Sequence, residues 1–99
     1  MVSKYEFKAK KELEEDGWRV DDKRGMGRWS KNRDFFNIFD LVAIKKGNPI
    51  RWISIKGKAG VPGAHRKELD EFWMPKGNVK EVWSKSMSKK KYWRKVVLD

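Results

Sequence analysis

The chain of 99 residues has no cysteine and a single histidine, His65. The first absence removes disulfide frameworks, thiol nucleophiles and thiolate-bound zinc. The second removes paired-histidine metal sites and makes a histidine-based triad improbable. No apolar run approaches the ~20 residues of a membrane span, and the segment MVSKYEFKAKK lacks the apolar centre of a secretion signal. The expectation is an intracellular protein with no membrane segment. Acid is also scarce: 14 Asp and Glu stand against 25 Lys and Arg, a net charge of +11. A surplus of that size on a small domain attracts polyanions, which puts nucleic acid ahead of an anionic membrane and leaves no call for a small-molecule substrate. A solvated basic surface on a heat-adapted protein would have the same arithmetic.

What is present is enough to fold. Six Trp, five Phe and two Tyr sit in a chain that is 38% hydrophobic, and its length suits one domain, 1–99, with one core. Residues 3–16 read as a helix, with Ser3 and Glu6 spaced as a capping box, Tyr5, Ala9 and Leu13 as the apolar stripe, and Gly17 as the stop. Glu6 falls on or beside that stripe, while Glu12, Glu14, Glu15 and Asp16 read as solvated surface. Residues 18–20 give a short strand signal. The polar stretch 21–34 carries Lys23, Arg24, Arg28, Lys31 and Arg33, with Gly25 and Gly27 as flexible points, and reads as a basic, phosphate-contacting loop. A nearly continuous apolar run at 35–44 predicts a strand covered on both faces, interrupted by Asp40. After a turn at 45–49, residues 50–56 predict its hairpin partner. Period-two alternation there sends Ile53 and Ile55 to one face and Trp52, Ser54 and Lys56 to the other. A loop at 57–63 leads to a helix at 64–74 with Leu69, Phe72 and Trp73 inward, and residues 79–83 and 92–98 read as closing strands. His65 is expected to cap or flank its helix, Trp29, Trp52 and Trp93 to serve the core or a dimer contact, and Lys89, Lys90 and Lys91 to be a solvated run.

Three residues carry chemistry. A carboxylate inside an apolar strand costs several kcal/mol unless paired or metal-bound, so Asp40 needs a partner, and Lys56 or a divalent cation is the candidate. Glu6 leans inward from the preceding helix. The order of a Glu-bearing helix, Asp40 in F-D-L-V-A-I, then S-I-K at 54–56 and a second helix resembles the PD-(D/E)XK nuclease superfamily, and within it the small archaeal Holliday junction resolvases, from about Glu6 to Trp73. That resemblance implies an α/β, restriction-endonuclease-like fold: a central mixed sheet flanked by helices, in the order α-β-β-β-α-β-β. It also implies an Mg²⁺- or Mn²⁺-dependent endonuclease acting on branched or duplex DNA as a homodimer. Asp40, the Ile55 carbonyl and Glu6 would hold the metal, Lys56 would orient the attacking water, and Arg24, Arg28, Ser30, Lys31, Arg33 and Lys58 would meet the DNA. Ser54 departs from the pattern, which has an acid there. Either Asp40 with Glu6 suffices, or Asp70 or Glu68 on the next helix supplies the missing carboxylate, or the site is silent and the protein only binds nucleic acid.

Overall fold

The structure, a computed structural model, describes residues 4–22, 38–57, 63–87 and 90–98. Seven elements follow one another: α1 (Lys4–Glu15), β1 (Arg19–Asp22), β2 (Leu41–Ile44), β3 (Ile50–Lys56), α2 (Gly63–Glu71), β4 (Asn78–Lys85) and β5 (Trp93–Leu98). The strands form one mixed sheet in the order β1-β2-β3-β4-β5. β1, β2 and β3 run as an antiparallel meander, β4 lies parallel to β3 across the α2 connection, and β5 returns antiparallel. The α/β class, the mixed sheet and the element order agree with the expectation from sequence.

Each face of the sheet carries one helix, and strand alternation decides which. Ile53, Ile55 and Trp83 point to one side, where they bury Ala9 and Leu13 of α1 together with Leu41, Ala43 and Trp93. Val82 points to the other, packing with Ile38, Phe39, Leu69 of α2 and Leu98, against which Trp52 and Phe72 lean. α1 ends in a Schellman motif: Gly17, at φ 91°, donates to the Glu14 carbonyl at 3.1 Å, and Trp18 donates to that of Leu13 at 3.0 Å. Its cap residue Ser3 lies outside the described residues.

Two buried charges hold elements together. Lys80 of β4, 5% exposed, donates to the carbonyls of Leu69 (2.6 Å), Asp70 (3.1 Å) and Phe72 (2.8 Å), so its ammonium closes the carbonyl end of α2. Glu81, buried on the α1 side, takes a forked pair from Arg51, with Nη2 to Oε1 at 2.7 Å, and accepts from the indole of Trp83 at 2.9 Å. The Arg51 guanidinium lies 4.7 Å from the ring centre of Trp18 and 5.7 Å from that of Trp83. Hydrogen bonding and charge from Glu81 raise its affinity for its proton against the opposing pull of burial.

Several boundaries differ from the sequence expectation. β1 occupies Arg19–Asp22 rather than 18–20. The predicted strand at 35–44 shrinks to Leu41–Ile44; 35–37 lie outside the described residues, Phe39 makes only an isolated bridge, and Asp40 sits in a bend. A buried carboxylate that takes a backbone amide ends the strand instead of interrupting it. The helix at 64–74 stops at Glu71, and Trp73 is 79% exposed, because Lys80 takes the Leu69, Asp70 and Phe72 carbonyls and no further turn forms. β4 continues to Lys85, past the predicted 83.

Candidate active site

The register gathers the chemistry-bearing residues at one end of the sheet. β1, β3 and β4 finish there, β2 and β5 begin there, and both helices start beside it. The placement of α1 is fixed by the ring of Tyr5, one carbon of which would lie 3.2 Å from a Cβ added at Gly57, so the helix opens against the end of β3. Glu6, one residue on, is buried at 7% exposure in the first turn of α1, where the helix dipole favours an acid.

Asp40 stands where β2 parts from β3. The last paired residue of β2 is Leu41, opposite Ile53. One step outward, the Asp40 amide donates to the Ile53 carbonyl at 2.9 Å, and its Oδ2 accepts from the Ile55 amide at 2.7 Å. The carboxylate therefore takes the place a strand carbonyl would hold had β2 continued. A strand residue projects its N–H and C=O to the same edge, so the Ile55 carbonyl faces the same gap. The sequence offered Lys56 or a cation as the partner of Asp40; among the described residues its carboxylate accepts from the Ile55 backbone amide. Lys56 is half-buried at the end of β3, and no carboxylate pairs with it among the described residues.

Ser54, wholly buried, points to the α2 side as alternation requires, and its Oγ lies 3.2 Å from His65 Nε2. His65 thus does more than cap its helix, contrary to the sequence expectation: it reaches across to the position where the resembled pattern has an acid. A sequence signal existed, since the chain's one imidazole falls in the first turn of the helix after the S-I-K strand. Neither candidate replacement acid is drawn inward. Asp70 is exposed and pairs with Arg66 at 3.4 Å along the helix surface, and Glu68 is exposed. Among the described residues no three of His, Asp and Glu cluster as a metal site.

Arg24, Arg28, Ser30, Lys31, Arg33, Lys58 and Trp29 lie outside the described residues. Trp93 is core, meeting Trp83 at 5.7 Å and Tyr5 at 6.3 Å between ring centres, and Trp52 is half-buried with its indole donating to Asn78 at 2.8 Å. No helix among the described residues is long and apolar enough to cross a membrane. No protein-family model matches the chain, and no curated protein matches it in sequence.

Proposed function

We propose that this chain is a metal-dependent endonuclease of restriction-endonuclease-like fold, hydrolysing phosphodiester bonds in branched or structured DNA as a symmetric dimer. One observation carries the reading: the Asp40 carboxylate is seated on the Ile55 amide in the gap between β2 and β3, beside a carbonyl and one residue from the ammonium of Lys56. The donors suit a hard cation, since Mg²⁺ and Mn²⁺ prefer oxygen and Mg²⁺ needs only one or two carboxylates. Asp40, the Ile55 carbonyl and Glu6 would hold it; when bound, such an ion supplies an acidified water and charge at the leaving oxygen. The chain's own part is orientation and charge. The Ile55 amide fixes the Asp40 rotamer through its hydrogen bond to Oδ2. Lys56, carrying positive charge with no described counter-ion, attracts the scissile phosphate and offsets the charge that develops on it. The net charge of +11 brings the polyanion to the surface, and two sites related by a two-fold axis suit a junction with the same symmetry.

A second reading, a nucleic-acid-binding protein without catalysis, is favoured by the Ser54–His65 contact, which fills the second acid's position with a hydroxyl and an imidazole and no carboxylate. Cleavage of labelled four-way junction, duplex and single-stranded DNA in Mg²⁺ or Mn²⁺ separates the two. Asp40→Asn is the informative variant because its amide oxygen still accepts from Ile55. Under the nuclease reading, Asp40→Asn and Lys56→Met lose cutting by ~100-fold or more, while Asp40→Asn keeps its binding and melting temperature. Binding by the wild type with no metal-dependent cutting of any substrate selects the second reading.

A further inference from the structure

The end of the sheet that holds Asp40 also holds cations that the site does not use. β4 finishes here at Lys85, β5 begins here at Trp93, and α1 opens alongside. The ammonium groups of Lys8, from the helix, and Lys85, from the strand, approach the same ring, that of Tyr92, at 4.2 and 4.6 Å from its centre. Their setting is built by the backbone. Lys85 Nζ donates to the Ser86 carbonyl at 2.7 Å, and the Ser86 amide donates to the Tyr92 carbonyl at 2.8 Å, closing the turn. Tyr92 in turn packs edge-on against Trp93, 4.9 Å between centres.

Lys10, Arg51, Arg66 and Lys95 each have a carboxylate partner, whereas among the described residues none pairs with Lys8, Lys56 or Lys85. An aromatic face attracts an ammonium without neutralising it, so two like charges are held together with their positive field intact. Lys85 follows Trp83 in the row of β4 that faces α1, so it lies on the side of Lys8 and Tyr92, whereas Lys56 follows Ser54 to the α2 side. Two cations without a described carboxylate partner, one brought by the helix and one by the end of β4, suit successive phosphates of a polyanion. A membrane surface would need an insertable apolar face beside the cations; Tyr92 is half-buried, and among the described residues of that turn Met87 is the one exposed large apolar side chain.

We infer that Lys8, Lys85 and Tyr92 form a phosphate track that carries a nucleic-acid backbone across the α1 face toward the β5 edge. The inference rests on the nucleic-acid part of the proposed function and not on catalysis. Its test is fluorescence anisotropy of labelled 30-base-pair duplex and 30-nucleotide single strand against salt concentration, with wild type, Lys8→Gln/Lys85→Gln and Lys46→Gln/Lys76→Gln. The last pair removes equal charge from exposed positions at the opposite end of the sheet. The track variant is expected to bind ~10-fold or more weakly, with a log–log salt slope on duplex shallower by close to 2 (~0.9 per lost phosphate contact), and the control to stay within ~3-fold. Equal weakening in both pairs reduces the effect to net charge and overturns the track, as does no weakening in either. Binding of phosphatidylserine vesicles that needs Lys8 and Lys85, with oligonucleotide binding indifferent to them, overturns it in favour of a membrane. Cutting measured in parallel with Asp40→Asn keeps the two failures apart: the track can fail while Asp40-dependent cleavage remains, and the reverse.

Discussion

Replacing Lys80 by Met tests how α2, and with it His65, is anchored to the sheet. Met keeps an unbranched apolar stem of similar length, so the change removes chiefly the ammonium. Three carbonyls lose a charged donor: Leu69 at 2.6 Å in a buried setting, Asp70 at 3.1 Å and Phe72 at 2.8 Å in partly buried ones. A hydrogen bond to a charged group contributes ~1.5–3 kcal/mol. Water can replace the ammonium at the two partly wet carbonyls but not at Leu69, so a loss of ~3–5 kcal/mol is expected, in the range for stripping one member from a buried ionic contact. For a domain of this size each kcal/mol moves the melting temperature by ~4–8 °C, giving a fall of roughly 12–40 °C. Urea and thermal unfolding followed by circular dichroism would measure it, with exposed Lys76→Met as the control that stays within ~0.5 kcal/mol. Hydrogen exchange should quicken first in α2. A loss below ~1 kcal/mol would refute the view that this cation closes the helix.

Other substitutions probe separate contacts. Glu81→Ala strands Arg51 and the Trp83 indole and should cost ~3–5 kcal/mol in urea unfolding, whereas Arg51→Lys, which keeps charge but loses the fork and the stacking on Trp18, should cost less, ~1–2 kcal/mol. Ser54→Glu places a longer acid in a filled position and should destabilise by ~1–3 kcal/mol. Adding His65→Ala opens room for it, and millimolar Mg²⁺ should then raise the melting temperature of the double variant more than that of wild type. Gly17→Ala forces a Cβ onto a residue at φ 91° and should lower stability by about 1–2 kcal/mol, read from the shift in urea midpoint.

The sequence made some features legible and concealed others for physical reasons. Periodicity is a local property, and it located α1 and β3 to within a residue and sorted Ile53 and Ile55 from Ser54 and Lys56. Asp40 was conspicuous because a carboxylate in F-D-L-V-A-I violates burial. The Ile55 amide that it meets was hidden, because backbone amides carry no letter. The reach of His65 to Ser54 depends on how α2 sits against β3, a tertiary matter that spacing does not encode. The Arg51–Glu81 pair did leave a trace: Arg51 shares the inward row with Ile53, and Glu81 shares one with Trp83. Two opposite charges in inward rows of strands that pair as neighbours mark a buried fork. Lys80 left less, since a Lys beside Glu81 in V-K-E-V-W gives no sign of the helix end it will close.

Because the strand ends bearing Asp40, Lys56 and Lys85 share one pole of the molecule, the opposite pole is a handle. Gly47, at φ 82° in the exposed 45–49 turn with open space around it, lies as far along β2 and β3 from Asp40 as those strands allow. A fluorophore or affinity peptide grafted between Gly47 and Asn48 disturbs two turn hydrogen bonds, from the Asn48 backbone amide to the Lys45 carbonyl and from its side-chain amide to the Lys46 carbonyl, and exposed loop tips of this kind accept insertions. Tethering the protein there would present the pole that bears Asp40 to solution, with every copy on a sensor surface facing the same way.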